Sequence, residues 1–250
     1  MSAPSMAGDW RSVEAFDEAI SVSDLSEVSH HLIRASDGEK IEAHLVFFTS
    51  SAFRLKVVDL GDRALTGHID LADALRSAGC VAGVNGGFFH RDGRPLGLVI
   101  ASGQRINRFE TSRLLSGLIY GDARGIYLIR RGRFEDRPGI DALLQSGPYL
   151  VEAGRAVRGL SDAATASRTF VATDWRGRWL LGAMHARITL AELGELLATS
   201  GLLAPWRVDR ALNLDGGSST GFFFAGAADR SSVILRPRKA VRTLLGIVPR

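Results

Sequence analysis

Cysteine is nearly absent: Cys80 is the single thiol among 250 residues. No intrachain disulfide can form. Its apolar setting, Cys80-Val81-Ala82, suits a buried structural thiol better than a nucleophile. Lysine is almost as scarce, present only at Lys40, Lys56 and Lys239, and every other basic residue is arginine. The net charge of +4 and pI of about 9.7 invite a nucleic-acid reading, but the distribution argues against it. The densest cluster, Arg130-Arg131-Gly132-Arg133, is broken by Glu135 and Asp136, and no basic arm or recognition motif appears. Arginine does grip phosphate in bidentate fashion, so an anionic substrate stays compatible.

Other absences narrow the class further. No apolar run reaches membrane-spanning length, so no membrane span is expected. Residues 1–22 lack a basic start followed by an apolar stretch, so the expectation is a cytoplasmic protein unless an export signal has been removed. No repeat of solenoid or propeller period is present, and neither Walker loop nor dinucleotide fingerprint occurs. No His, Cys and Asp group has metal-ligand spacing, so no cofactor or metal is implied, although Asp215 with neighbouring carbonyls could hold a divalent cation.

What is present reads as globular. Hydrophobic residues make up 46% and charged residues 23%, enough for one large domain to bury a core without staples. Residues 1–40 read as a polar lead-in with a short helix around 13–20, and residues 41–250 as the domain proper. A strand pair is expected at 41–49 and 53–60, a helix at 69–78 and a buried strand at 80–84. A hairpin follows from residue 96 across Ser102-Gly103, then a strand at 125–129. Strands at 170–174 and 179–184 pair across Trp175-Arg176-Gly177-Arg178. The clearest helix spans 189–200, with Thr189 and Glu192 at capping-box spacing and Gly201 as its stop. Further strands are expected at 211–214, 233–235 and 243–248. Strands outnumber helices and are joined mostly by hairpins. The expected fold is α+β, a largely antiparallel or mixed twisted sheet with a few helices in a single domain.

Two glycine turns stand out. Apolar Val81-Ala82-Gly83-Val84 leads into Asn85-Gly86-Gly87-Phe88-Phe89, and Ala211-Leu212-Asn213-Leu214 leads into Asp215-Gly216-Gly217-Ser218-Ser219. Paired glycines let backbone N–H groups converge or a ligand approach closely, and a strand end holds a polar side chain rigidly. Taken singly, either could equally be a tight hairpin turn.

The stretch from Val84 to Phe89, followed by Gly97-Leu98-Val99-Ile100, resembles the first block of the phosphodiester glycosidase family, which has many bacterial members. Gln145-Ser146-Gly147-Pro148, Ser167-Arg168-Thr169, Thr189 to Leu193 and Asn213 to Ser219 resemble the later blocks in family order. Three positions depart from the pattern: His90, Ala172 and the segment Met184-His185-Ala186-Arg187. The resemblance implies a hydrolase that cleaves a sugar from a phosphodiester, in a glycan, exopolysaccharide or other cell-envelope-type phosphorylated carbohydrate. It implies Asp215, Arg168 and Asn85 as catalytic. It places Gly86, Gly87, His90, Gln145, Ser146, Gly147, Glu192, Gly216, Gly217, Ser218 and Ser219 around the substrate. Arg168 is expected to pair with phosphate or orient Asp215, and Gly86 and Gly87 to offer N–H donors. Glu192 is also accounted for by its capping position. A non-catalytic carbohydrate-binding module and a metal-dependent phosphodiesterase stay open as alternatives.

Overall fold

A computed structural model describes residues 11–16, 28–36, 40–61, 70–226 and 232–250. The first strands are β1 (Arg11–Phe16), β2 (Ser29–Ser36), β3 (Lys40–Thr49) and β4 (Phe53–Asp59). Helix α1 (Leu71–Ser77) and β5 (Ala82–Asn85) follow, then β6 (Val99–Ala101), β7 (Gln104–Asn107), β8 (Gly117–Asp122) and β9 (Ile126–Arg130). Next come β10 (Ile140–Ser146), β11 (Tyr149–Glu152), β12 (Arg155–Ala156), β13 (Ala166–Thr173) and β14 (Arg178–Ile188). The last elements are α2 (Leu190–Ala198), β15 (Arg210–Asn213), β16 (Phe222–Phe224), β17 (Val233–Leu235) and β18 (Thr243–Pro249).

The strands form three sheets, in the orders β1-β2-β3-β14-β13-β15-β11-β12, β7-β6-β10-β8-β9 and β17-β16-β5-β18-β4. Every pairing between them is antiparallel. The expected α+β class with a mainly antiparallel sheet and few helices is what forms. Alternation along each strand divides the apolar residues into layers. Val46, Val171, Leu181 and Ala183 of the large sheet pack inward against Val57, Val84, Leu144 and Leu245 of the two smaller sheets. Leu45, Phe170, Leu180 and Met184 face outward under Leu193, Leu196 and Leu197 of α2. Helix α1 covers the far face of the third sheet through Leu71, Leu75, Phe223 and Leu244.

Both expected helices form, and the second begins at its expected capping box. Asp70 accepts from the Ala72 N–H at 2.8 Å, and Thr189 with Glu192 completes a capping box. The hairpin at Ser102-Gly103 forms with both residues at positive φ. Two expectations need correction. Residues 41–49 and 53–59 are strands but not partners: β3 pairs with β2 and β14, and β4 with β18. The short link between them carries the chain from one sheet to another. The helix expected around 13–20 is strand β1 up to Phe16, paired with β2, and the rest of that stretch lies outside the described residues. Cys80 is buried, which pushes its thiol up to about 12 despite Lys56, so it is inert at neutral pH.

Candidate active site

The two glycine turns come from different sheets and are bonded directly to each other. Asn85 ends β5 in the third sheet, and Asp215 follows β15 in the large sheet. The Asp215 N–H donates to the Gly86 carbonyl at 3.1 Å, and Asn85 Nδ2 donates to the Asp215 carbonyl at 2.6 Å. Asn85 Oδ1 accepts from Thr169 Oγ1 at 2.7 Å and from the Gly221 N–H at 3.0 Å. Asn85 is fully buried, and its oxygen is saturated by these two donors. It therefore works as a bracket that fixes Asp215 against β13.

The glycines serve close approach more than unusual backbone angles. A Cβ on Gly86 would collide with the Thr243 hydroxyl and sit 2.9 Å from its carbonyl oxygen. A Cβ on Gly216 would lie 2.6 Å from the Ser167 carbonyl. Positive φ occurs only at Gly217, within the 3₁₀ turn of Gly217–Ser219. The donors expected of the first turn are already spent. The Gly86 N–H goes to Thr243 O at 2.7 Å and the Gly87 N–H to Thr243 Oγ1 at 3.2 Å.

Asp215 is the chemically distinctive group. Burial raises its carboxyl above the ordinary aspartate range, while the Ser219 hydroxyl, the Lys239 ammonium and the Gly216 N–H pull it partly back. Ser219 faces it without reaching standard hydrogen-bond geometry. Among the described residues, the buried oxygens Ser146 Oγ, Asn213 Oδ1, Ser219 Oγ and Thr220 Oγ1 have unspent hydrogen-bonding capacity, all in segments flanking the turns.

The segment Arg236-Pro237-Arg238-Lys239, between β17 and β18, straps the second turn. The N–H groups of Arg238 and Lys239 donate to the Ser218 carbonyl at 2.8 and 3.1 Å. Lys239 Nζ then stands 5.1 Å from the centre of the Phe89 ring, so the strap links the Asp215 turn to the second Phe of the first turn. Adjoining the strap through Arg238, the residues Ser167, His185, Arg187 and Arg238 line an open cleft of about 310 Å³. Further along the same face, His44 has its imidazole pKa lowered by burial, against Glu42 and with the help of His185.

The profile of the family described as phosphodiester glycosidase matches residues 78–248. The chain belongs to the phosphodiester glycosidase family. No curated protein sequence matches it significantly. Among solved structures, the catalytic domain of zebrafish N-acetylglucosamine-1-phosphodiester alpha-N-acetylglucosaminidase, auto-inhibited by its pro-peptide, aligns with a TM-score of 0.66 at 17% identity. That match covers 90% of this chain and 83% of the zebrafish one. A hypothetical protein from Synechocystis aligns at 0.63 and 17% identity over 90% of this chain and 62% of its own. A Burkholderia pseudomallei protein aligns at 0.53 and 14% identity over 84% and 74%. At these identities the likeness carries the fold alone.

Within this phosphodiester glycosidase fold, the remaining expected site residues divide. Asn85, Gly86, Gly87, Asp215, Gly216, Gly217, Ser218 and Ser219 come together as one constellation. Gln145 lies behind it, with its side chain consumed by Leu98 N at 2.9 Å, Glu110 N at 3.1 Å and Glu110 O at 2.5 Å. Ser146 is buried, and the Gly147 carbonyl accepts from Asn213 Nδ2 at 2.9 Å. Arg168 is directed elsewhere. Its cross-strand partner is Met184 rather than Ala183, so it points to the α2 side of the sheet, away from Thr169 and Asn85. There Nε donates to Ile188 O and Nη2 to Ala164 O, each at 2.9 Å, and burial lowers its pKa against the pull of Glu192. Of the two roles expected of Arg168, pairing with phosphate or orienting Asp215, the second has no direct hydrogen bond to carry it. Glu192 bonds the Thr189 N–H at 2.7 Å as a cap, and His90 sits exposed in a surface turn closed by its N–H to Arg94 O at 2.8 Å.

Thr169, Thr243, Lys239, His185, Arg187 and Arg238 carry positions in the site that motif reading did not assign. The signal for His185 and Arg187 lay in their departure from the family pattern. For Arg238 and Lys239 it lay in one of the three lysines standing within Arg236-Pro237-Arg238-Lys239, which holds three cations in four residues.

Proposed function

We propose that the protein hydrolyses a sugar-1-phosphodiester, with Asp215 as the general base. The observation that carries this reading is the half-buried Asp215 carboxyl, raised by desolvation and held on a bracketed turn beside the Lys239 charge. A general base works best when its pKa approaches the working pH, and burial moves Asp215 in that direction. Water adds to the anomeric carbon and gives its proton to Asp215, while the C1–O electron pair leaves with the phosphate. A phosphomonoester is a weakly basic leaving group, so it needs charge stabilisation more than a proton donor. Lys239 supplies that charge beside Asp215, and Ser218 and Ser219 line the turn that carries both. Asn85, Thr169 and Thr243 act as positioning residues. A stable carboxylate geometry is what they provide, since the base must be held within hydrogen-bond reach of its water.

The pH dependence of kcat/KM on an N-acetylglucosamine-1-phosphodiester tests this. Activity should rise with pH along a limb lying above the ordinary aspartate value of about 3.9. Lys239→Ala should lower kcat/KM by about 10-fold with no fall in Tm. A limb at the ordinary aspartate value, or a purified protein that cleaves none of a panel of sugar phosphodiesters, contradicts the assignment.

A further inference from the structure

We infer that the cleft lined by Ser167, His185, Arg187 and Arg238 is a second anion subsite, which takes a phosphate of the leaving group one unit beyond the scissile one. The preferred substrate class is then a sugar-1-diphosphate ester rather than a simple diester. This inference rests on the hydrolase reading above for its chemistry, although the anion site itself can be measured without turnover.

Position is the first argument. The cleft is contiguous with the Asp215 turn on two sides. Ser167 presses its carbonyl against Gly216, where a Cβ would lie at 2.6 Å, and Arg238 is tied through its N–H to Ser218 O at 2.8 Å. A group bound there lies next to the one held by Lys239, on the leaving-group side of Asp215.

Charge is the second. Among the described residues, two arginines and a histidine line the cleft and no carboxylate does. Among the described residues Arg187 donates one bond, Nη2 to Thr165 O at 2.9 Å, which leaves its other N–H groups for a ligand. Arg238 has no ion pair among the described residues, whereas neighbouring Arg236 is neutralised by Asp70 at 3.0 Å and Arg242 by Asp59 at 2.6 Å. Two guanidinium groups without an ion pair among the described residues repel each other around a concavity, and a bound anion relieves that repulsion. His185 adds an N–H donor even when neutral. Ser167 does not donate to the ligand, because its hydroxyl goes to His185 O at 3.1 Å and holds that strand end in place.

The reaction stays balanced as before. Water supplies the oxygen to the anomeric carbon, Asp215 takes the proton, and the C1–O electron pair departs with an intact diphosphate ester.

Calorimetric titration of inorganic pyrophosphate and orthophosphate tests the subsite, using wild type, Asp215→Asn and Arg187→Ala/Arg238→Ala. Pyrophosphate should bind wild type and Asp215→Asn alike and at least about 10-fold tighter than orthophosphate. The double variant should lose about 10-fold to 100-fold of that affinity with an unchanged Tm, and the double lysine variant should recover part of it. In turnover, UDP-N-acetylglucosamine should be preferred over methyl N-acetylglucosamine-1-phosphate, and the double variant should erase the preference. Equal affinity for the two anions, or a double variant that binds pyrophosphate like wild type, overturns the subsite even if hydrolysis is intact. Loss of pyrophosphate binding in the double variant, with no hydrolysis of any substrate, upholds the subsite and sinks the hydrolase reading. Replacing the nucleoside with a farnesyl group separates nucleotide from lipid diphosphates as the source of that phosphate, and faster turnover of either supports the shared chemistry.

Discussion

At the scale of single residues, Asn85 and Asp215 divide the work between holding and reacting. Asn85 bonds the Asp215 carbonyl, Thr169 and the Gly221 N–H from a fully buried position. Removing its amide strands these partners, each at a cost of about 1–3 kcal/mol. Asn85→Ala should therefore lower the unfolding free energy by roughly 2–4 kcal/mol, as read by urea denaturation. An Asn85→Ala variant of wild-type stability would show that the bracket is idle. Asp215 works in the opposite sense. Its folded-state pKa is raised, so the native protein binds the proton more tightly than the unfolded chain, and stability falls as pH rises through that window. Above it, the ionised carboxylate carries a fixed cost that Asp215→Asn removes. The asparagine variant should match or exceed wild-type Tm at neutral pH, and the difference should close as the pH is lowered. A lower Tm at neutral pH would mean that the carboxylate is a stabilising ion rather than a strained base.

At the scale of elements, the sequence was most legible where local chemistry decides the outcome. The apolar spacing over 69–78 and the Thr189–Glu192 box announce the helices, and Trp175 to Arg178 announces the β13–β14 hairpin. Pairing between distant strands was not legible, because β3 and β4 look like neighbours and become members of different sheets. Side-chain direction was the other blind spot. Ser167, Arg168 and Thr169 form one motif, yet the register of β13 against β14 sends Thr169 to the site and Arg168 to α2. Periodicity cannot give that without knowing which face meets which layer. Arg168 and Glu192 consequently belong to the junction of β13, β14 and α2. Glu192→Ala should cost about 1 kcal/mol through loss of the cap, with kcat/KM per folded molecule unchanged. A large loss of kcat/KM at full stability would return Glu192 to the reaction.

At the scale of the whole molecule, the site exists only because two sheets meet. The third sheet brings Asn85, Gly86 and Thr243, and the large sheet brings Thr169, Ser167, His185 and the Asp215 turn. Both glycine turns were visible in the chain, and their separation by 130 positions hid that each completes the other. The strap between β17 and β18 then adds cations from the last part of the sequence. Sharing a core of Val84, Val171, Leu181 and Leu245, the sheets cannot shift apart without loosening the turns. Gly86→Ala probes this coupling, since its methyl group would push on Thr243 in β18. It should destabilise the fold by about 1–3 kcal/mol and reduce turnover together. Full stability with lost turnover would place Gly86 against substrate instead.

The central claim is that the Asp215 carboxylate performs the proton transfer. Release of reducing sugar from an N-acetylglucosamine-1-phosphodiester, compared between wild type and Asp215→Asn at neutral pH, tests it most directly. The expected result is a fall of at least about 100-fold in kcat with an equal or higher Tm. Full activity in the Asp215→Asn protein would contradict it.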